Sequence, residues 1–210
     1  MVFGTESFNR LAILAILTDM PTEGQTDPNQ AVFTGDPRMK MPQTELSQPR
    51  DLTFSASKFT VNLPEDTPGS AKVPGDIVAD GPVELVFHVE DANGADANEP
   101  PVPVSVTAME RAIFVPDSNQ VIFDGNCLCT MRRPDFPPEQ NFVLASPKLI
   151  ANLPEKGVKE DPEVMALGPV RLKAYVKVFD SNEPNSAPLP TTVTASRHAR
   201  FVPAENEVLF

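Results

Sequence analysis

A chain that carries the same stretch twice must fold so that both copies find equivalent places. The stretch beginning at Ser105, SVTAMERAIFVPDSNQVIF, returns from Thr192 as TVTASRHARFVPAENEVLF, an offset of 87 residues. Over these nineteen aligned positions ten are identical: Val106, Thr107, Ala108, Ala112, Phe114, Val115, Pro116, Asn119, Val121 and Phe123. Alternate residues are apolar, Val106, Ala108, Ala112 and Phe114 in the first copy and Val193, Ala195, Ala199 and Phe201 in the second. A period of two marks a strand with one buried face. The other register, Thr107, Met109 and Arg111 or Thr194, Ser196, His198 and Arg200, is expected to face water. One charged residue, Glu110 or Arg197, interrupts the apolar face at the same place in both copies. A violation that repeats predicts a bulge or bend, since an extra residue re-aims the strand. Pro116 and Pro203 are expected to stop the ladder, residues 117–119 and 204–206 to turn, and new strands to start at Val121 and Val208.

The repeat extends upstream. Residues 31–65 align with 121–155 at an offset of 90, AVFTGDPRMKM facing VIFDGNCLCTM and DLTFSASKFTVNLPE facing NFVLASPKLIANLPE. GPVELVFHVE from Gly81 is matched by GPVRLKAYVK from Gly168. Val83, Leu85, Phe87 and Val89, with Val170, Leu172, Ala174 and Val176, form the expected inner set. The outer set is acidic in the first copy (Glu84, Glu90) and basic in the second (Arg171, Lys173, Lys177), a difference able to steer head-to-tail association. The organisation expected is a short N-terminal helix and linker over 1–30, one β repeat over 31–120 and a second over 121–210, together one continuous β structure. Phe210 aligns with Phe123 and Phe33, so the last residues read as the opening strand of a further unit, standing as a cap or as an edge for another chain.

Composition agrees with this class. Twenty-four prolines are compatible with many short strands and turns but not with long helices, where an interior proline costs about 3 kcal/mol. A net charge of −12 argues against general nucleic-acid binding and against docking on an anionic membrane. The apolar run LAILAIL, residues 11–17, is too short to cross a bilayer and lacks the basic start and small-residue cleavage site of a signal peptide. It reads as a short helix covering one end of the sheet. Cys127 and Cys129, two apart on one strand face, are badly placed for a mutual disulfide and read as buried thiols rather than metal or redox groups.

Motifs for chemistry are missing. The sequence has no GxSxG, HExxH, phosphate-binding or dinucleotide-binding pattern, and His88 and His198 fall on outward registers of different strand types. No catalytic residue, metal site or cofactor is expected. The oxygen-rich stretch from Glu90 to Glu99 lacks calcium-loop spacing and reads as a loop around an Asn93-Gly94 turn.

Written generically, the unit is VTA-x-x-x-A-x-F-x-P-x-x-N-x-V-x-F-x-G, followed by a strand with a Leu144-Ala145 or Ser55-Ala56 step and then A-x-GPV. In order and in double occurrence, this pattern over residues 31–210 resembles the OstA-like periplasmic proteins of lipopolysaccharide transport, of the LptA and LptC type. The resemblance implies an open, twisted β-jellyroll or β-sandwich whose apolar interior shields acyl chains and whose edge strands join neighbouring jellyrolls. It implies a periplasmic, non-enzymatic lipid carrier with lipopolysaccharide or another acyl lipid as cargo. Phe87, Ala108, Ala112, Phe114, Phe123, Leu172, Ala195, Ala199 and Phe201 would line the lipid groove. The competing expectation is a structural or adhesive β-repeat module that assembles through its ends around a filled core.

Overall fold

The residues that break the alternation all lie on one line across the sheet, and the chain bends there each time it passes. In the computed structural model, which describes residues 30–44, 46–62, 75–90, 100–132, 137, 140–154, 162–176 and 188–210, the fold is all-β. In chain order the strands are β1 (Gln30–Thr34), β2 (Arg38–Gln43), β3 (Arg50–Ser55), β4 (Lys58–Asn62), β5 (Ile77–Asp80), β6 (Val83–Val89), β7 (Val102–Ala108) and β8 (Arg111–Val115). They continue as β9 (Gln120–Met131), β10 (Phe142–Asn152), β11 (Glu163–Leu167), β12 (Val170–Val176), β13 (Leu189–Ala195), β14 (His198–Val202) and β15 (Glu207–Leu209). The expected N-terminal helix and the Asn93-Gly94 turn lie outside the described residues.

Pairing is antiparallel throughout and forms one open sheet folded along a single crease. One leaf has the order β1-β4-β5-β8-β9-β10-β11-β14-β15, and the other β2-β3-β6-β7-β9-β10-β12-β13. The long strands β9 and β10 belong to both. Residues 120–124 of β9 pair with β8 in leaf one, and 128–131 with β7 in leaf two. In β10, residues 148–152 pair with β11 and 143–145 with β12. Elsewhere a two- or three-residue corner divides each passage into two strands, as at Met109-Glu110 between β7 and β8. The interruption at Glu110 and Arg197 is therefore the bend that its recurrence predicts.

Short-range chemistry builds the corner. Gly35, Gly81, Gly125 and Gly168 all have positive φ, between 83° and 94°, which glycine adopts without a Cβ penalty. The backbone groups freed by the bend are satisfied by the adjacent passage of the chain. Gly81 N–H donates to the Glu110 carbonyl at 2.9 Å, Met109 N–H to Gly125 at 2.8 Å and Gly168 N–H to Arg197 at 2.7 Å. Pro147 has no N–H to give, and there the ladder between β9 and β10 slips. The hydroxyl of Ser146, the one buried polar residue among those described, donates to the Leu167 carbonyl at 2.7 Å. After β8 and β14, single 3-10 turns, Pro116–Ser118 and Pro203–Glu205, end on Asn119 and Asn206 in the left-handed region.

The inner faces of the two leaves press together as one core running through both repeats. Phe54 of β3 and Phe59 of β4, on either side of the crease, have ring centroids 5.2 Å apart. Away from the crease, Phe142 at the start of β10 in leaf two stacks on Phe201 of β14 in leaf one at 4.1 Å. Aromatic pairs of this kind add about 0.5–1.5 kcal/mol beyond the area they bury.

A Cβ at Gly125 would run into the Glu110 side chain, whereas one at Gly35 would meet nothing within 4 Å. Both positions have positive φ, so Gly35→Ala carries the conformational penalty alone, about 1 kcal/mol. Gly125→Ala is expected to exceed it by a further ~1–2 kcal/mol of crowding in urea unfolding curves. Equal losses would show that the neighbouring passage yields freely at the corner.

Candidate lipid groove and sheet edges

The alternation places the nine expected groove residues on one interior. Phe87 of β6, Ala108 of β7, Leu172 of β12 and Ala195 of β13 come from leaf two. Ala112 and Phe114 of β8, Phe123 of β9, and Ala199 and Phe201 of β14 come from leaf one. Ala112 and Phe123 are direct cross-strand partners. Eight of the nine are buried, none of those by less than Leu172 at 6% exposure, and only Ala195 is partly open. The interior is thus a closed apolar contact between leaves. An acyl chain reaches these side chains only where the leaves part or at an end of the fold.

The two ends differ. β7 lies between β6 and β9, and its inward Val106 and Ala108 are 0% and 2% exposed. β13 is its repeat, yet among the described residues it pairs with β12 alone, and Val193 and Ala195 are partly exposed. Leaf one continues one position further, because β15 pairs with β14 through Arg200↔Leu209, Phe201↔Val208 and Val202↔Glu207. The sequence reading leaves β15 as a cap or an edge; it does not anticipate a second edge, β13, one strand short of it. No spacing within β13 marks this, since its sequence copies that of β7, which is paired on both sides. At the opposite end, among the described residues, β1 pairs only with β4, and β2 only with β3.

Phe142 is the other residue the sequence reading misses. It aligns with Leu52 rather than with an aromatic, so nothing in the repeat marks it as the ring that stacks on Phe201.

Of the polar candidates, His198 is exposed, but His88 is half-buried although it lies on the outward register. The Gln43 side chain stands in for a strand beside it. Its Nε2 donates to the His88 carbonyl at 3.0 Å, and its Oε1 accepts the His88 N–H at 2.8 Å. The adjoining Glu90 carboxylate accepts both the Ser47 N–H and its hydroxyl. The His88 Nδ1 is buried without a hydrogen-bond partner. Burial first, then the nearby Arg50, lowers the His88 pKa, against a smaller opposing effect of Asp51.

Cys127 and Cys129 are both free and buried, as their shared face predicts. Burial pushes the Cys127 thiol up to about 11, and pushes that of Cys129 higher still. Cys127 Sγ donates to the Pro147 carbonyl at 3.4 Å, closing the corner between β9 and β10. Among the described residues no group of three or more His, Cys, Asp or Glu side chains could hold a metal ion.

No protein-family model matches this chain, and neither curated proteins nor solved structures give a significant match.

Two measurements check this geometry. Both thiols are expected to stay unreactive toward a thiol-specific reagent at pH 8 in the folded protein and to react together on unfolding, because the reactive thiolate is suppressed. Fast labelling of either in the folded state would place it outside the core. The lowered His88 pKa means that the unfolded chain binds a proton the folded chain resists, so stability falls as pH drops below the unfolded value of 6.5. His88→Asn should flatten that part of the stability profile in unfolding titrations, and an unchanged slope would assign the effect to other groups.

Proposed function

We infer that this chain is a non-enzymatic periplasmic carrier of an acyl lipid, with lipopolysaccharide the expected cargo, and that it works in series with copies of itself or similar folded sheets. The observation that supports this reading best is the partly exposed edge of leaf two, where among the described residues β13 pairs with β12 alone. There the apolar strip that β9 covers inside the chain is left partly open at Val193 and Ala195. An acyl chain entering at that end gains about 0.8 kcal/mol for each CH₂ removed from water, without any bond being made or broken.

The internal junction supplies the pattern for joining copies. Val106 of β7 faces Cys129 of β9. Shifted by the two repeat offsets, the same pairing sets Val193 of one copy against Met39 in β2 of the next. Such strand addition uses backbone N–H and C=O groups that an edge strand leaves free. β15 already holds the leaf-one half of that position, so the incoming copy's β1 competes with it.

A second reading is supported by the burial of the interior. Phe87, Phe114, Phe123 and Phe201 are all at or below 2% exposure, a core shielded from water of the kind an assembly module needs. The two readings separate on lipid uptake. A photoreactive amino acid placed in turn at Phe87, Phe114, Ala195 and Phe201, with outward Thr107 and Arg200 as controls, is expected to form adducts with purified lipopolysaccharide at the inward sites. Ala195 should label first. Equal labelling inside and out, or none, would leave the assembly module as the reading in force.

A further inference from the structure

The outer faces of the two leaves are built from the same repeats yet differ in chemistry. Across leaf one the paired outward residues run Val32, Thr60, Val78, Ile113, Ile122, Ile150 and Met165, each directly opposite the next. Six of the seven are apolar, Thr60 being the exception, and all seven are partly exposed. The corresponding line across leaf two runs Lys40, Thr53, Val86, Ser105, Thr130, Val143, Lys173 and Thr192. A general preference of strands for β-branched residues applies to both faces, so it does not account for an apolar line on one alone.

Polar pairs frame this line. On its crease side lies a ladder of alternating charge, in which Lys58 meets Asp80 at 3.4 Å, Arg111 meets Asp124 at 3.5 Å and Lys148 meets Asp124 at 3.4 Å. On the other side Gln30 bonds Asn62, and Asn152 bonds Glu163, both at 3.2 Å. Beyond Met165 the line is stopped by Arg200, which pairs with Glu163 at 2.6 Å. Among the described residues it has no such stop at Val32, on β1. Gln30, the first residue of β1, lies two residues before Val32, so its side chain is on the same outer face.

We propose that the outer apolar line of leaf one is the docking surface for the chain's own residues 11–17, LAILAIL. The line crosses seven strands, about 29 Å at the usual strand spacing. Residues 18–29 connect the apolar run to β1, and twelve residues reach at most ~40 Å, so the run can lie anywhere along it. Seven consecutive apolar residues match a surface that is long, narrow and uncharged, and the polar frame fixes where they stop. This inference rests on neither the cargo nor the joining of copies.

The test is disulfide trapping in the full chain under mild copper–phenanthroline oxidation. Leu14→Cys is combined with Ile122→Cys on the line, with Thr130→Cys on the outer face of leaf two, or with Lys40→Cys on edge strand β2. Ile113→Cys serves as a second position on the line should Ile122→Cys disturb folding. Trapping within one chain at 122 or 113 is expected at least ten-fold faster than at 130 or 40. Fastest trapping at 40, equal rates at all positions, no trapping at any position, or bonds formed only between copies would each overturn the proposal.

Discussion

The fold depends on how a backbone turns a corner inside a sheet without losing its hydrogen bonds. A bend removes ladder bonds, and a buried, unpaired N–H or C=O costs about 1–3 kcal/mol. Here the cost is avoided sideways, each corner donating to the corner of the next passage, as from Gly81 to Glu110 and from Met109 to Gly125. Where Pro147 has no donor, the hydroxyl of Ser146 and the thiol of Cys127 take over. The crease is therefore a cooperative line rather than a row of separate bends. This is why glycine with positive φ recurs at four of the corners.

A crease of this kind makes two faces into one interior but does not itself close either end of the sheet. Within the chain the first repeat's end is covered by the second repeat, through β7 on β9 and β8 on β9. Among the described residues, the same surface at the second repeat's end is covered only in leaf one, by β15. Identical strips of sequence thus meet different surroundings, which is seen most simply in Val106, fully buried, and Val193, partly open. Function in such a molecule is more readily sought at its ends and outer faces than among its repeated core residues.

Much of this was legible in the sequence because the relevant signals are local. Alternation gave the inward set, the twice-interrupted face at Glu110 and Arg197 gave the bend, and Pro116 and Pro203 marked the turns. The shared face of Cys127 and Cys129 gave two buried thiols. What was not legible depends on register between distant strands. Ile113, Ile122 and Ile150 each read as an outward residue on its own strand; only pairing aligns them into a line. Phe142 meets Phe201 across the interior, and no spacing within a strand encodes that contact. Likewise, that β9 serves two leaves follows from its partners, β8 and β7, and not from its own pattern.

The arrangement also decides which motion is least opposed. Hydrogen bonds between strands run within each leaf and along the crease, so separating the leaves away from the crease does not require breaking a ladder. Resistance to opening comes from apolar contact, of which the stacked Phe142 and Phe201 form one identified piece. That resistance is of the kind a lipid chain can replace, since an acyl chain between the leaves restores the apolar surroundings lost when they part. Resistance to shear along the crease comes instead from backbone hydrogen bonds, for which a lipid offers no substitute. The sheet is accordingly compliant in the direction that would admit an acyl chain and stiff in the direction that keeps the repeats in register.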